Sequence, residues 1–291
     1  MAFTADNQVE LGGVLLGPGT DYDIIAFNPW EAPDFRTSEV HRGQLHGVVA
    51  GTDMMGAKRV SLSVLVRGAD QATALSNLQA LQYAWSAQTT DTELYFRLDG
   101  KEYLFYGRPR GATVKGTGLW GRNVLSAELR FVATDPFYYD SDTIETDLTE
   151  AWGGQSSGLD LSTALTTPLD LGGLAYDGII SIDLTAPGPV PFELWARRWQ
   201  ANVFELRHLE QGRSIVLNPG LNGITNNYWI VDTRTREDRN SSTGASYGFT
   251  TLSGHNWFWL TPGTNTLKLV VDNHPTYDIA QYKIVYRNAY L

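Results

Sequence analysis

Not one cysteine occurs among the 291 residues. That absence removes disulfide frameworks, thiolate zinc sites and a cysteine nucleophile from the available chemistry. Positive charge is scarce as well: 22 Lys and Arg stand against 32 Asp and Glu, a formal net charge of −10 at pH 7. The deficit is shared, with 12 basic against 18 acidic residues in 1–145 and 10 against 14 in 146–291. Neither part carries the basic footprint with which proteins neutralise nucleic-acid phosphates. No apolar run approaches the ~18 residues of a bilayer-spanning helix, so no membrane is expected as a partner. The first residues, "MAFTADNQVELGGVLLG", lack the basic n-region of a secretory signal. Synthesis and folding in a cytoplasm are expected.

The chain is instead rich in apolar alternation and turn residues. Hydrophobic residues make up 42% and aromatics 12%, enough for ordinary cores and too much for a disordered chain. With 29 glycines and 12 prolines, turns are frequent, as all-β folds require. In "RVSLSVLVRG", Val60, Leu62, Val64 and Val66 share one face of a strand and Ser61, Ser63 and Arg67 the other. "TELYFRLDGKEYLFYG" reads as a hairpin over 92–107 around Asp99-Gly100, a type I′ dipeptide. "RNVLSAELRFVATDPF" alternates again, with Leu125, Ala127, Leu129 and Phe131 on one face.

One segment has a different period. Leu75, Leu78, Leu81 and Trp85 recur at three- and four-residue steps, which predicts one helix over about 70–87 with Asp70 as its N-cap. Residues 146–177 are polar and rich in Gly, Ser and Thr, which marks a linker or extended segment between a domain over 1–145 and another over 178–291. The second part shows seven or more short strand patterns and no convincing helix, which predicts a β-sandwich.

Candidate chemical motifs do not survive their structural requirements. "GTGLWG" at 116–121 matches a dinucleotide fingerprint, but the residues after it alternate like a strand instead of opening a helix. "GASYG" at 244–248 matches a nucleophile elbow around Ser246, yet "FTTLSGH" is no helix, and Asp272 and His274 lie only two residues apart. His41, His46, His208, His255 and His274 show no metal spacing and are expected at surfaces or caps. Acid pairs such as Asp21/Asp23 and Glu237/Asp238 read as solvated turns. "NSS" at 240–242 is a glycosylation sequon without a secretory context. No catalytic, cofactor-binding or metal-binding residue is assigned, no cofactor is expected, and the chain is not expected to be an enzyme.

The run "NWFWLTPGTNTLKLVV" from Asn256 to Val271 offers three readings: a cofactor box, a sugar-stacking platform, or two core strands joined by a turn. Trp257 and Trp259 share one face of an extended segment and Phe258 takes the other. Most of the run is therefore expected in the sandwich core, with Leu267, Leu269 and Val271 returning on one face. A sugar platform on the outward ring stays the alternative.

Order and spacing of several short motifs add a resemblance. Asp135-Pro136-Phe137-Tyr138-Tyr139 closes the first part, and Ile230-Val231-Asp232 runs into Thr233-Arg234-Thr235-Arg236. Leu260, Pro262, Gly263 and Asn265 form "L-x-PG-x-N", and "VYRNAYL" ends the chain. Together with the helix after "VLVRGAD", they make the sequence resemble the distal tail protein (Dit) family of siphophages over nearly its whole length. The resemblance implies a mainly β fold: an N-terminal split β-barrel or sandwich with one α-helix and an extended hairpin, then a C-terminal galectin-like β-sandwich. It implies a structural virion protein at the tail tip, made in the host cytoplasm, that forms a hexameric ring. Implied partners are the tail tube protein, the tape measure protein and tail-associated lysin or adhesin proteins, with DNA passing through the lumen without specific binding. The alternative function is a carbohydrate-binding, receptor-recognising tail protein that uses the C-terminal sandwich.

Overall fold

A computed structural model describes residues 3–41, 48–49, 51–115, 123–148, 176–197, 204–219, 227–246, 249–251, 256–271 and 281–291. The chain forms two compact units, Met1–Asp142 with Ala289–Leu291, and Thr143–Asn288.

The first unit begins with β1 (Gln8–Leu11), β2 (Val14–Leu16) and β3 (Tyr22–Phe27). The two-residue strands β4 (Phe35–Arg36), β5 (Val40–His41), β6 (Val48–Val49) and β7 (Met54–Met55) pair as β4 with β7 and β5 with β6. Then come β8 (Lys58–Arg67), α1 (Gln71–Ala84), β9 (Thr92–Leu98), β10 (Lys101–Lys115), β11 (Val124–Ala133) and β12 (Tyr138–Asp140). The main sheet runs β2-β1-β9-β10-β11-β8-β3. β12 pairs with β10 on one side and with Ala289–Tyr290 on the other.

Its core follows the alternation. Val60, Leu62, Val64 and Val66 on β8 and Leu125, Ala127, Leu129 and Phe131 on β11 are all buried, and the two strands pair antiparallel through Leu129↔Leu62. Each large side chain so buried contributes roughly 1.5–3 kcal/mol relative to exposure. The helix starts where expected, because the Asp70 carboxylate accepts the Thr73 amide at 2.7 Å. Its buried face is Ala74, Leu78, Leu81 and Ala84, with Trp85 just beyond. Leu75, expected in that stripe, is 41% exposed; Ala74 holds the inward position and the next residue is turned about 100° away.

Two left-handed residues, Asp99 (φ 50°) and Gly100 (φ 74°), make the expected tight hairpin between Leu98 and Lys101. Gly107 does something the sequence pattern did not announce. Up to it, β10 pairs with β9; from it onward, β10 pairs with β11. A Cβ at Gly107 would lie 2.2 Å from the Val132 carbonyl oxygen, so only glycine permits this exchange of partners. A bulge between Pro109 and Ala112, with Gly111 at φ +102°, bends the strand further. Beyond Gly107, one edge of β10 has no strand partner among the described residues.

The second unit contains β13 (Ile144–Asp147), β14 (Tyr176–Leu184), β15 (Phe192–Arg197), β16 (Phe204–His208), β17 (Arg213–Pro219), β18 (Trp229–Asp232), β19 (Glu237–Asn240), β20 (Phe249–Thr251), β21 (Gly263–Val271) and β22 (Gln281–Tyr286). The final strand, β23 (Ala289–Tyr290), is the one that returns to the first unit. Two antiparallel sheets result, β13-β22-β15-β18-β19 and β14-β21-β16-β17-β20. Phe192, Leu194 and Ile284 of one and Ile182, Leu206, Leu267 and Leu269 of the other are buried, as in a β-sandwich. Of the segment expected as a linker, residues 149–175 lie outside the described residues.

Candidate functional site

Asp232 ends β18 with its carboxylate turned inward on its own loop. Oδ1 accepts the amides of Arg234 (2.7 Å) and Thr235 (3.4 Å), and Arg236 takes a left-handed φ of 60°. Thr233 Oγ1 clasps β15, accepting from the Phe192 amide at 2.9 Å and donating to its carbonyl at 2.8 Å. The aspartate is thus a turn lock that fixes the loop from which the side chains of Arg234 and Arg236 project.

The neighbouring wall is the aromatic run, and here the structure corrects the sequence reading. Asn256–Trp259 is not a strand; Leu260 makes an isolated bridge to Val190, exchanging bonds of 2.9 and 2.8 Å. Phe258 is 1% exposed, packed against Phe192 and edge-on to His208 at ring distances of 5.5 and 5.3 Å. Trp257 and Trp259 are half-buried and outward. The alternation is real, but the core receives Phe258 and Leu260 and leaves the tryptophans at the surface.

Below the run, Asn265 explains the "PG-x-N" pattern. It is fully buried: Oδ1 accepts the Thr261 amide (2.7 Å), and Nδ2 donates to the carbonyls of Thr261 (2.7 Å) and Gly263 (2.9 Å). His208, expected at a surface or cap, is buried with Nε2 2.8 Å from Asn265 Oδ1. An amide oxygen only accepts, so Nε2 carries the proton. The Thr266 hydroxyl and amide hold the Glu210 carboxyl below its usual value. Gln211 Nε2 donates to the Trp259 carbonyl at 3.1 Å, and Trp259 Nε1 to the Thr233 carbonyl at 3.4 Å.

These loops enclose a cavity of about 270 Å³ whose lining includes Gln211, Arg213, Arg234, Arg236, Trp257 and Trp259. The three arginines come from two separated segments and the tryptophans from a third. No local signal in the sequence joins them; only the basic stretch after Ile230-Val231-Asp232 stood out.

The other flagged residues fall elsewhere. Residues 116–122 and Asp272 and His274 lie outside the described residues, as do His46 and His255; for His41 only the backbone is described. The segment after the glycine-rich loop is β11, a strand, so it supplies no helix N-terminus for a pyrophosphate. Ser246 Oγ donates to Asp238 Oδ1 at 2.5 Å, and Trp229 Nε1 to Asp238 Oδ2 at 2.9 Å. Asp238 is therefore a buried crosslink, not the solvated turn expected of Glu237/Asp238. Asp23 pairs with Arg67. Asn240 of the sequon is buried, accepting the Ser242 and Thr243 amides. Among the described residues, no three His, Asp or Glu side chains gather to hold a metal, and no helix is long and apolar enough to cross a membrane.

In the first unit, the closing motif Asp135-Pro136-Phe137-Tyr138-Tyr139 is likewise a lock. Asp135 accepts the Phe137 amide (3.1 Å) and the Tyr139 hydroxyl (2.5 Å), and Tyr138 stacks on Tyr290 at 5.3 Å. The unit also exposes apolar side chains: Phe35 and Met55 face each other across β4 and β7, and Met54 and Trp30 are also solvent-exposed.

No protein-family model matches this chain, and no curated protein does. Solved structures do. The Dit protein of phage SPP1, described as a paradigm of the hub adsorption apparatus in Gram-positive infecting phages, aligns with a TM-score of 0.63 at 15% identity, over 98% of this chain and 99% of that one. A chain of the phage P2 baseplate in its activated conformation with Ca aligns with a TM-score of 0.55 at 9% identity, over 97% and 98%. The phage p2 baseplate with Sr gives 0.52 at 9%, with the same coverage. At such identities the likeness is one of fold: this chain shares the fold of the SPP1 Dit protein over 98% of its length.

Proposed function

We propose that this chain is a distal tail hub protein of a long-tailed phage, a structural subunit that forms a hexameric ring between the tail tube and the tail-tip adhesion proteins. The observation that carries the reading is the likeness to the SPP1 Dit protein, which takes in 98% of this chain and so both of its units. The alignment spans 98% of this chain and 99% of that one, which supports reading the chain as a scaffold subunit of the same architecture.

Physical features of the first unit support this reading. The strand edge of β10 beyond Gly107 and the exposed Phe35, Met54 and Met55 are surfaces that a subunit interface would cover. Repeated head-to-tail around an axis, one such contact closes a ring. The excess of acid in 1–145 suits a channel for DNA, because a wall without basic clusters releases no counterions and does not hold the duplex. The domain division is read in the same way, with a ring-forming first unit over 1–142 and 289–291 and a galectin-like sandwich over 143–288, β13 (Ile144–Asp147) being counted in the sandwich and not in the first domain or the linker. Partners are the tail tube, tape measure and tail-associated lysin or adhesin proteins, in a virion assembled in the host cytoplasm.

Electron microscopy of the purified protein at high concentration, and of intact particles, tests the reading. The expected image is a closed ring with the first unit around the channel. A ring lined by the second unit, or one with a strongly basic lumen, would overturn it.

A further inference from the structure

We propose that the cavity walled by Arg213, Arg234, Arg236, Trp257 and Trp259 binds an anionic saccharide, a sugar chain bearing phosphate or carboxylate groups. The assignment stands on the second unit alone and does not depend on the ring.

Charge comes first. In a chain of net −10, the described lining of this cavity holds three guanidinium groups and no carboxylate. Two of the acids beside it are committed elsewhere. Asp232 faces the amides of its own turn, and Glu210 accepts the Thr266 amide at 2.8 Å. Arg213 and Arg236 have no ion pair among the described residues. A planar guanidinium presents paired donors that match phosphate and carboxylate oxygens, so a cluster of them in an acidic protein selects an anion.

The aromatics decide the rest of the ligand. Trp257 and Trp259 are half-exposed in the same wall, and the Trp259 ring and backbone are tied to Thr233 and Gln211. Held indole faces offer flat apolar area at little entropic cost, which suits the C–H face of a sugar ring. Gln211 adds an amide for hydroxyl groups. At about 270 Å³ the cavity sits at the small end of ligand pockets and accommodates one sugar unit with its charged substituent, the chain continuing into solvent. A helical peptide fits less well, because its docking needs a long apolar groove, and strand addition at the edge strand β19 is the outcome that poly-L-glutamate tests.

The test is a tryptophan-fluorescence titration of the full chain with five probes: oligogalacturonate, glucose 6-phosphate, neutral maltohexaose, poly-L-glutamate and inorganic phosphate. Saturable binding is expected for oligogalacturonate and glucose 6-phosphate, weakening as salt rises. Arg213→Gln and Arg236→Gln should each weaken it at least roughly fivefold, because each removes a charge-assisted hydrogen bond. Both side chains are at the surface, so an unchanged melting temperature separates lost binding from lost folding. Trp257→Ala should remove most of the fluorescence change. Equal binding of maltohexaose would overturn the role of charge, and binding of poly-L-glutamate alone would make the cavity a protein-docking site. Inorganic phosphate binding as tightly as glucose 6-phosphate would reduce it to an anion site, and no binding by any probe would remove the site altogether.

Discussion

In the first unit the buried polar side chains among the described residues are Gln8, Lys58 and Asp135; in the second they are His208, Asp232, Thr233, Asp238, Asn240 and Asn265. The three in the first unit brace the ends of a continuous apolar core. Gln8 ties the Thr4 and Ala5 amides to the Pro18 carbonyl, and Lys58 lies 5.3 Å from the Phe105 ring and 5.7 Å from Tyr138. Burial pushes the Lys58 amine below its ordinary value. The six in the second unit each tie a turn or loop: Asp232 holds the 233–236 turn, Asp238 and Asn240 the 241–246 loop at the other end of the β18–β19 pair, and Asn265 with His208 the 261–265 turn. What the difference teaches is where each unit keeps its working surface. The first leaves strand edges and apolar side chains outside, which favours contact with other subunits. The second wires its loops into fixed shapes, which favours a site built from side chains on those loops.

The sharpest way to break this comparison is at the aromatic run. Phe258→Ala should cost roughly 3–5 kcal/mol, because it empties a packed position. Trp257→Ala should cost less than about half of that, since its ring is already part-solvated. Urea unfolding of the two variants decides; the reverse order would put the tryptophan in the core after all.

A smaller effect is expected from the loop wiring. Asn265→Ala strands the Thr261 amide and the carbonyls of Thr261 and Gly263, at about 1–3 kcal/mol. Hydrogen exchange should show the loss confined to amides of the second unit, leaving those of β8 and β11 protected as before. Loss of protection in both units would mean that they unfold together and that the contrast drawn between them is false.

The mildest test is alkaline. The Tyr290 phenol is pushed up to about 12, first by burial and then by the Asp140 carboxylate beside it. An unfolded tyrosine ionises near pH 10. Between these values the unfolded chain has lost a proton that the folded chain keeps, so the stability is intact below pH 10 and falls as pH rises towards 12. Tyr290→Phe should make the melting temperature of the first unit less sensitive over that window. Burial raises the Tyr282 phenol in the second unit as well, so the second unit should keep its alkaline sensitivity in this variant.

Much of the first unit was legible because each signal was local. Alternation on β8 and β11 set which side chains go inward, Asp70 set the helix start, and Asp99-Gly100 set a hairpin. The fold class was legible for the same reason, and so were short motifs that each lock a turn, Asp135, Asp232 and Asn265 among them. Leu75 was misplaced by one position because leucine and alanine are both tolerated on a helix and the pattern does not record which faces the sheet. His208 and Asp238 were misread because burial of a polar group depends on partners far away in sequence, 57 residues for His208 and Asn265.

The sequence by itself determined the strands, the helix, the acidic balance and the turn locks, since propensity, periodicity and side-chain-to-backbone capping act over a few residues. Only the tertiary structure decided that Gly107 hands β10 from one partner to another, that Phe258 and not the tryptophans fills the sandwich, and that Arg213, Arg234 and Arg236 meet Trp257 and Trp259 around one cavity. Those outcomes depend on which faces of distant segments are apposed, and a period of two or of 3.6 residues fixes the face of an element without naming what will cover it.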